Sequence, residues 1–171
     1  MKRIIYLLIA LATSYSFGQN DVFEISRSGT LEEISELYNS NNAIINSNNE
    51  SGYSPLTIAC YNNNEAVVKF LIEKVEDPNV MSMFGTPLMA ATFKGLDNIV
   101  EVLLLAKVDP DNADSNGTTA AHYAVMAKNY KIINLLLDFE ADFYIKNNVG
   151  QSAFDMALSL DDEKLNNLLK I

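Results

Sequence analysis

The sequence predicts an all-α solenoid of about five helix-turn-helix repeats with projecting hairpin loops, and two features of the chain predict it. The segments Ser54-Pro55-Leu56, Thr86-Pro87-Leu88, Thr119-Ala120-Ala121 and Ser152-Ala153-Phe154 start 32, 33 and 33 residues apart. A fixed period of that length marks stacked supersecondary units. Other positions recur in the same register. Ala59, Ala91, Ala124 and Ala157 come first, then the apolar pairs Val67-Val68, Ile99-Val100 and Ile132-Ile133. Phe70-Leu71-Ile72, Val102-Leu103-Leu104 and Leu135-Leu136-Leu137 follow, and Leu165, Leu168 and Leu169 close the last copy.

Each part of the period has a physical role. Ser or Thr opening a copy offers a hydroxyl to the free amides of a helix start, and Pro after it loses nothing because its missing N–H would be unpaired there. A helix therefore begins at each of the four sites. The alanines admit a neighbouring helix, and the later run, apolar at three- and four-residue spacing, is an amphipathic second helix covering the first. Between the two helices stand Asn63, Gly95, Lys128 and Asp161, where a left-handed residue is expected, with Gly and Asn the better suited. Asp77-Pro78-Asn79-Val80, Asp109-Pro110-Asp111-Asn112 and Asp142-Phe143-Tyr144-Ile145 then lead through polar residues to the next copy, as an extended hairpin between helix pairs.

The pattern resembles the ankyrin-repeat family, whose signature runs Gly-x-Thr-Pro-Leu-His, an Ala pair, Gly, Val-Val, Leu-Leu and Gly-Ala-Asp-x-Asn over about 33 residues. Gly52-Tyr53-Ser54-Pro55-Leu56 and Gly117-Thr118-Thr119-Ala120-Ala121-His122 match its opening, and the likeness covers roughly residues 21 to 171. His122 alone holds the family's histidine position; Thr57, Met89 and Asp155 replace it elsewhere. Two departures stand out. Phe84-Gly85-Thr86 places glycine one residue late, which bears on the hairpin there, and Val75, Lys107 and Glu140 replace the glycine before Ala-Asp. By the resemblance, His122 hydrogen-bonds within its repeat and steadies the turn.

A first copy is less regular. Asp21-Val22-Phe23-Glu24 and Thr30-Leu31-Glu32-Glu33 read as capping boxes, with Ile34 and Leu37 in core slots and Gly29 at the turn. The expected units are an N-terminal cap at about 21–48, then 49–80, 81–113 and 114–146, and a C-terminal cap at 147–171. A terminal repeat needs a polar outer face. Glu24, Arg27, Glu32, Glu33 and Glu36 would supply it at one end, and Asp161, Asp162, Glu163, Lys164 and Lys170 at the other.

Residues 1–18 precede this array and read as a secretory signal peptide: basic Met1-Lys2-Arg3, an apolar run from Ile4 to Ala12, then a small and polar stretch. Spanning a bilayer takes about 20 apolar residues, more than the run provides. Ser16 and Gly18 favour cleavage before Gln19, with a second site before Phe17; no Cys follows the run to carry a lipid. Cleavage removes Lys2 and Arg3 but no acid and takes the formal charge from −10 to −12. The expected product is periplasmic or secreted, monomeric, and not inserted in a membrane.

Composition narrows the function. An excess of 22 acidic over 12 basic residues argues against a nucleic-acid partner, which would require clustered Lys and Arg. One Cys and one His cannot form a Cys/His zinc cluster or a redox pair, and Cys60 falls in a small-residue slot expected to be buried. Asp109, Asp111, Asp114 and Gly117 suggest a calcium loop, but Ala113 and Ala120 stand at the fifth and twelfth positions. His122 with Asp114 or Asp155 lacks a nucleophile nearby. An enzyme or metal-binding protein on the repeat scaffold is therefore the alternative, and no cofactor is expected.

What remains is surface. In the family the resemblance names, partners dock on hairpin tips and on the exposed face of each first helix. By alignment those positions include Tyr53, Tyr61, Asn62, Met83, Phe93, Lys94, Thr118 and Met126, flanked by Glu50, Ser51, Ser82, Ser115 and Asn116. Tyr53, Tyr61, Met83, Phe93 and Met126 form an aromatic and methionine stripe, the residue types in which binding energy concentrates, although some could instead pack between fingers. The expected function is capture of another protein, with the acidic charge steering a basic partner. An immunity or inhibitor protein and a helper of a periplasmic enzyme are its two versions.

Overall fold

The structure, a computed structural model, describes residues 20–83 and 85–170; the stretch read as an export signal, both cleavage sites and Phe84 lie outside the described residues. The described residues form five helix pairs. They are α1 (Asn20–Ser28) with α2 (Leu31–Ser40), α3 (Pro55–Tyr61) with α4 (Glu65–Ile72), and α5 (Pro87–Phe93) with α6 (Asp97–Leu105). The last two are α7 (Ala120–Met126) with α8 (Tyr130–Asp138), and α9 (Ala153–Ser159) with α10 (Glu163–Leu169). First helices stack in one layer and second helices in another. One continuous core runs between them, with Leu56, Leu71, Leu88, Leu103, Ile132 and Leu136 buried.

The helix starts form as their sequences dictate. The hydroxyls of Ser54, Thr86 and Ser152 accept the amides of Thr57, Met89 and Asp155 at 3.1, 3.3 and 3.1 Å. Pro55 and Pro87 are the first helical residues. Thr30 and Glu33 close a reciprocal capping box. α1 is already formed at Asn20, so Asp21 lies inside the helix and not at the position before its start. Gly29 is required by proximity, because a Cβ there would lie 2.7 Å from Ile25 Cα.

Between the helices of each later pair, Asn63, Gly95, Lys128 and Asp161 adopt φ of 59°, 71°, 49° and 45°. All four occupy the left-handed region, including the Lys and Asp for which it is less favourable. After the second helices, Lys107 and Glu140 also turn left-handed, at 63° and 60°. Val75 does not. A β-branched residue resists that region, and the chain closes instead by the Val75 N–H donating to the Leu71 carbonyl at 2.9 Å.

Side chains at the repeat period join each unit to the next. Asn46, Asn79 and Asp111 accept the amides of Glu76, Asp109 and Asp142 at 3.0, 2.9 and 2.8 Å. Asn64 Nδ2 donates to the carbonyls of Gly29 at 2.9 Å and Ile25 at 3.2 Å, tying the end of α1 to the turn after α3. Burial foremost, with the Asp109 and Asp142 carboxylates beside it, raises the Asp111 carboxyl above its ordinary pKa.

The hairpins follow one plan with one exception. Asn49, Asp114 and Asn147 each accept two amides through Oδ1, from residues two and four positions on, which folds the tips ending at Tyr53, Thr118 and Gln151. The late glycine changes the second tip, that of the third copy. Ser82 and Gly85 bond each other's backbones at 3.0 and 3.1 Å, leaving a finger one residue shorter. Gly85 has a φ of 96°, and a Cβ there would meet Met89 Sδ.

Asp161, Glu163, Lys164 and Lys170 of the C-terminal cap are exposed, and Asp162 is half-buried. Asp162 Oδ1 caps α10 through the Lys164 and Leu165 amides, and its Oδ2 accepts Lys128 Nζ and Tyr130 Oη from the preceding repeat. These bonds, led by the backbone amides, bring the Asp162 carboxyl down to about 2. Lys164, itself exposed, places Nζ 4.1 Å from the Tyr130 ring centroid. These two residues link the cap to its neighbour.

Thr92 is fully buried, its hydroxyl has no partner, and its column is apolar elsewhere, with Cys60 and Val125. Replacing a buried, unbonded hydroxyl by a methyl of the same shape removes a desolvation cost. Thr92→Val is expected to stabilise the chain by about 1 kcal/mol, read from the urea midpoint at unchanged slope.

Candidate partner-binding groove

The concave side is built from the first helices and the fingers that precede them. The three central ones, α3, α5 and α7, contain no Lys, Arg, Asp or Glu, so the acidic excess lies elsewhere in the chain. Where α3 faces α5, a cavity of about 650 Å³ opens. Its apolar wall comes from Ile58 and Tyr61 of α3, Met89, Ala90 and Phe93 of α5, and Tyr123 of α7. Its polar edge comes from Asn49, Ser51 and Tyr53 of the first long finger, Thr57, Asn62 after α3, and Arg27 in the last turn of α1.

Of the residues expected at a site, the structure brings Tyr53, Tyr61, Asn62 and Phe93 together on this cavity. Tyr61 and Phe93 are 45% and 63% exposed, a large share for aromatic rings at the centre of a concave face. Lys94 stands at the rim, with Nζ 4.7 Å from the Tyr61 ring centroid. The other three do not line it. Met83 projects from the short finger; Met126 continues the Tyr61–Phe93 column one repeat on; Thr118 is half-buried, with its amide on Asp114. The stripe expected from sequence is therefore two parts: a cavity across α3 and α5, and separate exposed methionines.

Tyr123 lines the cavity although residue-type reasoning does not single it out. It shares a column with Ile58 and Ala90, so aligning the copies by position places it on the wall. Its ring meets Phe93 edge-on at 6.0 Å and 85°, and its hydroxyl donates to Asp114 Oδ2 at 2.9 Å. Burial first, then the hydrogen bond to the Asp114 carboxylate, pushes its phenol up to about 12. Arg27, also overlooked, pairs with Glu24 at 2.5 Å.

His122 has a structural position. Nδ1 accepts the Thr119 amide at 3.1 Å and lies 2.9 Å from the Thr119 hydroxyl, which donates to it. An accepting Nδ1 leaves Nε2 protonated, and Nε2 donates to the Gln151 carbonyl at 3.1 Å. The bond expected within the repeat is present, and a second one joins the next repeat. In the acidic turn, Asp109 Oδ1 and Asp114 Oδ1 hold backbone amides of their own turns, as Asp111 Oδ1 holds that of Asp142. Among the described residues, no group of three or more His, Cys, Asp or Glu is placed to hold a metal ion. Cys60 is fully buried, and burial raises its thiol pKa. Among the described residues no helix is long and apolar enough to cross a membrane.

A family model described as "Ankyrin repeats (3 copies)" matches residues 4–82, 22–114 and 88–170. The chain belongs to the ankyrin-repeat family. Ankyrin repeats are protein–protein interaction modules, generally without enzymatic activity. The chain is similar to the mitochondrial disaggregase of Bos taurus, 32% identical over a match covering 80% of this chain and 20% of that protein. It is also similar to a putative ankyrin repeat protein of Fowlpox virus (strain NVSL), 32% identical, covering 60% and 24%. A third likeness is to a putative ankyrin repeat-containing protein of Treponema pallidum (strain Nichols), 36% identical, covering 49% and 28%. The chain thus spans about a fifth to a quarter of the length of these relatives.

Tyr123 links the ankyrin finger at 114–118 to the groove wall, and its titration reports that link. A phenol whose pKa is raised on folding keeps its full stabilising contribution below the unfolded value near 10 and loses it as pH rises toward the folded value. Absorbance at 295 nm is expected to show one tyrosine ionising near pH 12, a step that Tyr123→Phe removes while lowering stability by about 1–2 kcal/mol.

Proposed function

We propose that this protein binds another protein through the cavity between α3 and α5, without covalent chemistry of its own. One observation carries the reading: Tyr61 and Phe93 stand exposed on helices without a charged residue, beside a cavity of about 650 Å³ in a family of interaction modules. Exposed aromatic rings at the centre of a recess are the groups that contribute most when a partner excludes water.

The finer reading places this activity in an exported compartment. It is supported by the basic start, apolar run and small-residue boundary of residues 1–18. There the protein would act as a monomer that either blocks a toxin or enzyme, as immunity proteins do, or holds an exported enzyme in its folded state. The surplus of acidic residues supports a partner of basic net charge, whose approach the field accelerates.

The test is capture from the native source with the parent chain and with a Tyr61→Ala, Phe93→Ala variant of equal unfolding midpoint. A partner retained by the parent is expected to bind the variant about thirtyfold or more weakly, the loss that a removed anchor residue produces. Equal retention by both would place the site on another surface. Fractionation of the native cells checks the compartment: the chain should appear in the exported fraction, starting at Gln19 or Phe17.

A further inference from the structure

We infer that the partner segment received by the groove carries a bulky uncharged anchor side chain with a carboxylate beside it, on the edge facing the C-terminal ends of the first helices. The inference rests on the groove being the partner site, and it names the chemistry of what enters. The argument is one of local charge. Although acids outnumber bases in the chain by 22 to 12, no carboxylate lines the cavity; Arg27 is its one charged lining residue. Lys94 follows the last turn of α5 at the same end of the layer, which the Asn64 bonds to the end of α1 identify as one edge.

Lys94 is the more telling of the two. Among the described residues it pairs with no carboxylate and rests over the Tyr61 ring, whereas Arg27 is held by Glu24. An ammonium over an aromatic face at an exposed site is held only weakly, so a partner carboxylate can draw Lys94 away at small cost. An anchor seated between Tyr61 and Phe93 would then lie beneath the pair and shield it from water. On the opposite, finger edge the exposed acid is Glu50, next to Asn49 and Ser51 of the lining, so a basic residue suits that side. This local pattern is separate from net charge, which acts on the rate of approach.

The experiment is selection of a phage-displayed random 12-residue library on the full chain, with Phe93→Ala, Lys94→Glu and Lys94→Gln in parallel and unfolding midpoints as the control for folding. Clones that need Phe93 are expected to carry a bulky apolar residue with an Asp or Glu beside it. Lys94→Glu should weaken those clones about tenfold or more, and Lys94→Gln less, since the first adds repulsion to the lost pair. Phe93-dependent clones that lack an Asp or Glu beside the bulky residue, or are indifferent to Lys94→Glu, would overturn this inference and leave the groove reading standing. Selection yielding no clone that needs Phe93 would overturn both.

Discussion

No helix pair in this chain can bury its own apolar surface, so every repeat depends on contact with the next. The first helices carry alanine at positions 59, 91, 124 and 157 because a neighbouring helix must approach there, and all four alanines are fully buried. The same requirement fixes the polar bonds. Asn46, Asn79 and Asp111 reach across to the following unit, and His122 does so through Nε2. In a stack of this kind stability is a sum of unit and nearest-neighbour terms. A change at one of these joints should therefore act on two repeats at once, and its effect should fade beyond them.

The same constraint accounts for the groove. A first helix flanked by neighbours on both sides and covered by its own second helix keeps only a narrow strip for solvent, and α3, α5 and α7 have no charged residue on it. What the strip can vary are the column beginning at Ile58 and the column beginning at Tyr61. Ile58 and Ala90 leave room where Tyr123 closes the wall, and Tyr61 and Phe93 rise on either side of that room. The cavity is lined where the small Ala90 follows Ile58 in one column, beside the large Tyr61 and Phe93 of another.

Much of this was legible in the sequence because periodic positions report on structure four times over. The hydroxyl caps, the left-handed turn positions and the two apolar helix runs each recur, so chance agreement is improbable. The losses came where a residue departs from its column or where side-chain direction matters. Val75 occupies the position of Lys107 and Glu140, yet its branched side chain forces another turn closure. Asp162 looks like part of a solvated polar cap, but a carboxylate at a helix start finds amides. At the site, Tyr61 and Phe93 were found because exposed aromatics are conspicuous in a helix that is otherwise small and apolar. Tyr123 was not, because a residue beside the repeat's one histidine reads as part of the turn until its column is followed.

Periodic and aperiodic residues therefore carry different information in a repeat protein. A residue common to every copy answers a demand that every copy shares, which is stacking. A residue that breaks its column cannot be explained by that demand and has either a local geometric cause or a task of its own. Gly85 and Val75 have local causes, visible in the short finger and the altered turn. Lys94 has no such local cause: its column holds Asn62 and Ala127, and it leans over Tyr61 at the mouth of the cavity. Tyr123 has both, since its hydroxyl fixes the finger through Asp114 while its ring sets the edge of Phe93. The departures that stacking does not require converge on one groove, and a surface assembled that way is specified for something other than the fold.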